Sequence, residues 1–278
     1  MGMRQWILVG GLALVFIPAF RALAEVWSSL DYYSHGFLVP IVSLWIGWDR
    51  VGRLGPPGAH AQGLLVIGLA MALYAVGLGL GSPTGLGLAV VAAATGVVWH
   101  FWSVRGVRRL IFPLGLLLFV VPIPPSILSP IVLQLQFFVS RMAVDVLQLS
   151  GFTVLREGNV VQLAAGPLFV AEACSGITSI VTLLPLGAVL AYFTERRTGA
   201  RVGLVLAVVP IAMLGNLLRV IATVVAAQSL GIDQATSSWL HESAGLITFT
   251  LECGLLIGLG SWVGVALEPG GAGRPQTA

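Results

Sequence analysis

Hydrophobic positions in this chain come in long runs rather than in strict alternation or single-face stripes. Stretches of bilayer-crossing length, roughly 17–25 residues, fall near 5–24, 62–80, 85–103, 174–193, 202–226 and 241–265. A further run at 36–48 reaches that length only when extended back into 31–35. An eighth, near 110–123, is short and ends in Val121-Pro122-Ile123-Pro124-Pro125, whose prolines carry it towards the far interface. The pattern predicts an all-α polytopic membrane protein with about eight transmembrane helices.

Two segments break the pattern. Residues 126–150 place Gln134, Gln136, Arg141 and Asp145 among apolar neighbours, which suits an amphipathic or re-entrant element. Residues 151–173 are β-rich: Phe152-Thr153-Val154-Leu155 and Val160-Val161-Gln162-Leu163 flank Glu157-Gly158-Asn159, and Ala165-Gly166-Pro167 turns the chain into Leu168-Phe169-Val170. A small extracytoplasmic β-meander is expected there. The whole is expected to be one integral-membrane domain over 1–265, with an outer amphipathic and β segment at about 124–173 and a short cytoplasmic tail at 266–278.

Charge sets the orientation. All 14 basic residues are arginine, and nine of them group as Arg4, as Arg50 and Arg53, as Arg105, Arg108 and Arg109, and as Arg196, Arg197 and Arg201. These are alternate loops, which the positive-inside rule holds in the cytoplasm. Glu25, Asp31 and Asp233 lie in the opposite loops. Counting 126–150 as one further span would move the Glu195-Arg196-Arg197 loop outside, so that element is placed on the outer side. The first residues also resemble a secretory signal, with Ala22-Leu23-Ala24 after the apolar run. Arg21 interrupts the cleavage region, and an uncleaved first helix is preferred.

At 57% hydrophobic and 9% charged residues, the chain has too little charge for a water-soluble surface, so lipid is its solvent and the bilayer its first partner. The arginines form no domain-sized basic face, so no nucleic-acid partner is expected. The two cysteines, Cys174 and Cys253, sit in unlike surroundings and do not look like a disulfide framework. No cofactor and no metal are expected.

Under this topology three reactive side chains from three consecutive spans reach one membrane face. Cys174 opens the sixth span and His241 the eighth, while Arg219 sits about seven residues from the outer end of the seventh, roughly 10 Å. A helix N-terminus with a nearby cation favours the thiolate that a cysteine nucleophile needs. A transmembrane arginine is functional or paired by default; Asn216 lies on its face, and Glu252 is the candidate salt-bridge partner. Backbone N–H groups of Ser175 and Gly176 are placed to stabilise an oxyanion. His35 is a weaker candidate for the same face. Glu172 disfavours a thiolate beside it, which leaves substrate binding or orientation of His241 as its roles. Cys253, about 18 Å deeper along its helix than His241, reads as packing. The alternative is a transporter or channel component for lipid or polysaccharide precursors, with Arg219, Glu252 and Asn216 lining a pathway.

At Glu172-Ala173-Cys174-Ser175-Gly176-Ile177, Asn216-Leu217-Leu218-Arg219 and His241-Glu242-Ser243-Ala244-Gly245 the sequence resembles the exosortase/archaeosortase family. Tyr33-Ser34-His35-Gly36-Phe37-Leu38-Val39-Pro40 and Arg156-Glu157-Gly158-Asn159 look like its secondary motifs, which makes Arg156 a possible supporting residue. The resemblance implies a multi-pass cysteine protease and transpeptidase of the inner membrane, acting on its extracytoplasmic side. It implies substrates that are membrane-anchored proteins with C-terminal sorting signals: a short Pro-Glu-Pro-like motif, a transmembrane helix and a basic end. Cleavage through a thioacyl intermediate and transfer to an unknown acceptor nucleophile would follow, with Cys174, Arg219 and His241 as catalytic residues. How Arg219 and His241 divide the acid–base and oxyanion tasks stays open.

Overall fold

The computed structural model describes the backbone of residues 3–164, 166–169, 175–194 and 197–267; the side chains of residues 4, 238, 241 and 263–267 lie outside that description. The molecule is mostly helical, as its apolar runs dictate, and divides into two compact units, residues 1–128 and 129–278.

The first unit holds α1 (Met3–Val15), α2 (Ile17–Ser29), α3 (Leu38–Val51), α4 (Ala61–Gly79), α5 (Pro83–Arg109) and α6 (Ile111–Leu116). The run expected as one span at 5–24 is a pair of helices bent by 52°. Pro18 in the first turn of α2 cannot donate to the preceding turn. At this bend the Tyr74 hydroxyl donates to the Val15 carbonyl at 2.8 Å. Phe16, Ala19, Ala70, Tyr74, Leu86, Ala89 and Ala93 form the buried core. Helices α4 and α5 approach closely because Gly63 and Gly96 present no side chain: a Cβ on Gly63 would strike the His100 backbone, and one on Gly96 would stand 2.8 Å from Ile67 Cγ1.

A 3₁₀ turn, Asp31–Phe37, joins α2 to α3, and a second, Leu117–Val120, follows α6. The two turns are tied together. The Trp27 indole donates to the Val120 carbonyl at 2.9 Å, and the Tyr33 hydroxyl accepts from the Ile123 N–H at 2.7 Å.

In the second unit α7 (Pro125–Leu149, which starts in the first) precedes β1 (Leu155–Glu157), β2 (Val160–Leu163) and β3 (Gly166–Phe169). Then come α8 (Ile177–Thr194), α9 (Thr198–Leu230), the single turn α10 (Ile232–Ala235) and α11 (Ser238–Leu267). The strands form the expected antiparallel meander in the order β1-β2-β3. Its first strand starts three residues later than the sequence suggested. The Phe152 N–H closes the end of α7 on the Leu147 carbonyl at 3.0 Å, with Gly151 at φ +87°. Gly158, at φ +64°, occupies the first position of the two-residue turn between Glu157 and Val160. Alternation puts Val161 and Leu163 on one face, where they and Leu168 pack on Val139, Ala143, Val144 and Leu147 of α7 and on Val220, Val224 and Ala227 of α9.

Among the described residues six helices (α4, α5, α7, α8, α9 and the 242–262 part of α11) are each long and apolar enough to cross a bilayer, and the bent α1–α2 pair makes a seventh. The run near 110–123 is a shorter helix, 111–120, and α3 has 14 residues. Segment 126–150 is an unbroken helix of 25 residues, so the re-entrant option lacks the break that re-entry requires. Its exposed face carries the Arg141–Asp145 pair at 4.0 Å, yet by length and composition it also suffices to cross a bilayer, a span not among those expected from the sequence.

Candidate active site

Helix α9 is the organiser. It runs 33 residues without interruption, about 50 Å, and ends at Leu230 rather than near 226. Arg219 therefore stands eleven residues, about 17 Å, from the helix end, deeper along it than the 10 Å the sequence suggested.

Ser175 and Gly176 lead into α8. Helix α8 begins at Ile177, so Cys174 precedes the helix by three residues instead of opening it; Cys174 and Glu172 themselves lie outside the described residues. Ser175 is fully buried, and its Oγ accepts from the Ile177 N–H at 3.3 Å. Gly176 has φ +84°, a conformation that suits glycine, and its carbonyl accepts the first helical bond, from the Ile180 N–H at 3.0 Å. A Cβ there would stand 3.3 Å from Met213 Sδ and 3.4 Å from Asn216 Cβ. The turn that follows Cys174 thus lies directly on the face of α9 that carries Asn216.

His241 lies in the first turn of α11, three residues after its start, and its side chain is outside the description. One turn further on, about 6 Å along the axis, Gly245 receives Arg219: a Cβ on Gly245 would strike Arg219 Nη2 and stand 3.1 Å from Cζ. The guanidinium thus lies over the backbone of α11 next to the turn that carries His241.

A second notch holds Glu252. Its carboxylate, 1% exposed, occupies the place of the missing side chain of Gly215, whose Cβ would stand 2.6 Å from Glu252 Cγ. The Ser179 hydroxyl on α8 and the Arg219 guanidinium face this carboxylate, and among the described residues neither of its oxygens forms a hydrogen bond of ordinary geometry. Around the cluster Leu183, Ala191, Leu204, Val208, Ala212 and Leu256 close α8, α9 and α11 on one another, and Cys253 packs against them as a small apolar group.

Gly215 and Ser179 were not singled out from the sequence. Gly215 had a signal: a glycine inside a helix costs about 1 kcal/mol relative to alanine, so one placed directly before Asn216 marks a close approach.

Two further candidates belong to other elements. Arg156, on the exposed β1 strand, donates to the Gly158 carbonyl of its own hairpin at 2.8 Å. His35 belongs to the first unit, where its Nε2 and the Phe119 carbonyl lie 3.2 Å apart. Burial lowers its pKa below the ordinary imidazole value, against the opposing pull of the Phe119 and Tyr32 carbonyls. Among the described residues no group of three or more His, Cys, Asp or Glu side chains is arranged to hold a metal.

Neither a curated protein nor a solved structure matches the chain significantly. The sequence model of the transmembrane exosortases matches residues 27–258, from within α2 to within α11. That span takes in the Ser175-Gly176 turn, the Asn216–Arg219 face of α9 and the first turns of α11, and the chain belongs to the transmembrane exosortase family.

Proposed function

We propose that this protein is a cysteine protease and transpeptidase of the inner membrane that cleaves C-terminal sorting signals of exported proteins on the extracytoplasmic side. The observation that carries the proposal is the double contact of α9. Asn216 lies against Gly176, two residues after Cys174, and Arg219 lies against Gly245, one turn after His241. Three elements distant in sequence are thereby drawn to one helix face.

The Cys174 thiolate attacks the scissile carbonyl carbon, and the carbonyl electron pair moves onto oxygen. Arg219 and backbone N–H groups at the Ser175-Gly176 turn stabilise that oxyanion. Collapse breaks the C–N bond as His241 delivers a proton to the leaving amine, and a thioacyl-enzyme remains. An acceptor nucleophile, losing its proton to His241, attacks the thioester and releases the Cys174 thiolate. Asn216 and Gly176 fix the approach of the two elements. Glu172, Arg156 and His35 are assigned supporting roles only, and the acceptor is left as a nucleophile of unspecified class. The domain comprises residues 1–265 with the tail beyond it in the cytoplasm.

The test is processing of a co-expressed partner that ends in a short motif, an apolar helix and an arginine cluster. Cys174→Ala and Cys174→Ser should each accumulate uncleaved partner at normal enzyme abundance, with turnover down by a factor on the order of 10³ or more, whereas Cys253→Ser should process it. Wild-type processing by Cys174→Ala would remove the thioacyl route and favour a transport role for the buried polar residues.

A further inference from the structure

Helix α5 is a single run in the sequence, yet its path breaks at Trp102 and Ser103. Ser103 has φ +57° and ψ −170°, a backbone region that is essentially reserved for glycine. No other non-glycine residue among those described has a positive φ. The break turns the carbonyls of His100 and Phe101 towards the loop before α4. There they accept from the His60 N–H at 2.9 Å and the Gly58 N–H at 2.7 Å, and the Trp102 indole donates to the Gly55 carbonyl at 3.1 Å. The loop is thus stitched to the broken helix, and a cavity of about 590 Å³ lies between them.

One wall of the cavity is cationic, with Arg105, Arg108 and Arg109 joined by His60; Leu54 and Trp102 contribute to its apolar part. Arg109 donates to the Arg53 carbonyl at 3.1 Å. The side chains of Arg105 and Arg108 enter no hydrogen bond or ion pair among the described residues and are exposed. Segments 49–60 and 100–110 contain one carboxylate, Asp49, and Arg53 occupies it at 3.0 Å. The positive-inside rule accounts for arginines in these loops, but it requires neither a strained serine nor a built cavity.

We infer that this cavity binds the phosphate of an anionic phospholipid. The planar forks of Arg105 and Arg108 suit a phosphate's oxygens, while Leu54 and Trp102 receive the first apolar atoms of the amphiphile. Basic pockets beside membrane helices on the positively charged side take anionic headgroups in this way. Inorganic phosphate shares the charge but lacks the apolar part. The inference does not rest on the proposed chemistry and is tested without a sorting substrate.

The detergent-solubilised full chain is titrated separately with short-chain phosphatidylglycerol, short-chain phosphatidylcholine and inorganic phosphate, and the thermal midpoint is read. Phosphatidylglycerol should raise the midpoint saturably, and the other two should leave it where it is. The double variant Arg105→Gln/Arg108→Gln should weaken the half-saturating concentration by about tenfold or more, while Arg201→Gln, from another arginine loop, should not. Since Arg105 and Arg108 hold no bond of the fold, the double variant keeps the fold's own contacts. An equal response to phosphatidylcholine, an equal response to phosphate alone, or equal weakening by Arg201→Gln would each overturn the assignment.

Discussion

The two units place polar side chains in apolar surroundings in different ways. In the first unit such groups meet backbone at a helix end or break. Ser43 donates to the Pro113 carbonyl at 2.6 Å, Thr84 to Pro122 at 2.7 Å, Tyr74 to Val15 at 2.8 Å and Trp27 to Val120 at 2.9 Å. Each satisfies an acceptor left over where a helix stops or bends, a structural obligation in a medium without water. In the second unit Asn216, Arg219 and Glu252 sit in the interior of continuous helices, where the backbone is already paired. They lie instead against Gly176 in the turn before α8, Gly245 of α11 and Gly215 of α9. Polar groups that repair backbone explain themselves; polar groups converging where no repair is needed point to chemistry.

Substitution tests that contrast directly, starting with the largest effect. Arg219→Ala should lower turnover by a factor on the order of 10²–10³, and Arg219→Lys should recover little, because lysine keeps the charge and loses the planar fork. Gly245→Ala should lower turnover at near-normal abundance, since its methyl displaces the guanidinium while the helix gains propensity. Ser43→Ala should do the reverse, costing stability on the order of 1 kcal/mol and leaving turnover unchanged. Processing rates and thermal midpoints on the same preparations decide it. If Arg219→Ala loses abundance and activity together while Ser43→Ala loses activity alone, the contrast between the units fails.

Ser103 is the exception within the first unit, a strained position where the others relieve strain. Glycine accepts its φ and ψ freely. Ser103→Gly removes a cost of about 1–3 kcal/mol, less about 0.5–1 kcal/mol for the greater freedom of the unfolded glycine. The Arg105 N–H also loses its 3.4 Å bond to the Ser103 hydroxyl, a long one. The net expectation is a gain on the order of 1 kcal/mol, read as a higher thermal midpoint. A lower midpoint would show that the hydroxyl, rather than the backbone, sets the local balance.

Much of the fold was legible because a span needs only a run of apolar residues, and the meander was legible because Val, Leu and Phe alternate between Gly-containing turns. Breaks were not legible: the run at 5–24 reads as one span although Pro18 sits within it. The α1–α2 bend follows from Pro18, whereas nothing in His100-Phe101-Trp102-Ser103-Val104 announces the break in α5, which depends on a loop some forty residues earlier in the chain. The end of α9 was hidden as well: Ala226-Ala227-Gln228-Ser229-Leu230 is polar enough to look like a loop and yet stays helical to Leu230. At the site, Asn216 and Arg219 were readable by their spacing and by the rarity of buried charge. Gly215 carried the hint of a glycine inside a helix, but which side chains Gly215 and Gly245 receive was not readable, since a notch is defined by what another helix inserts into it.

His35 offers the finest test of how the first unit holds its polar groups. Its ring is partly buried, with Nε2 against the Phe119 carbonyl and Nδ1 shielded from water. A second proton puts charge on a buried ring, and burial outweighs the pull of the Phe119 and Tyr32 carbonyls and holds the pKa below the ordinary 6.5. The unfolded chain, titrating near 6.5, binds more protons than the folded one in the window just below that value. Stability accordingly rises with pH there, is fully present above the unfolded pKa, and is lost as the pH falls through the folded value. His35→Gln keeps a donor for Phe119 and cannot take up the charge, so its thermal midpoint should fall less than wild type between about pH 7 and about pH 5. Titrations shared by both proteins cancel in that difference. Parallel profiles would mean that His35 reaches water when protonated, and that the 31–37 and 117–120 turns are held by Tyr33 and Trp27 without it.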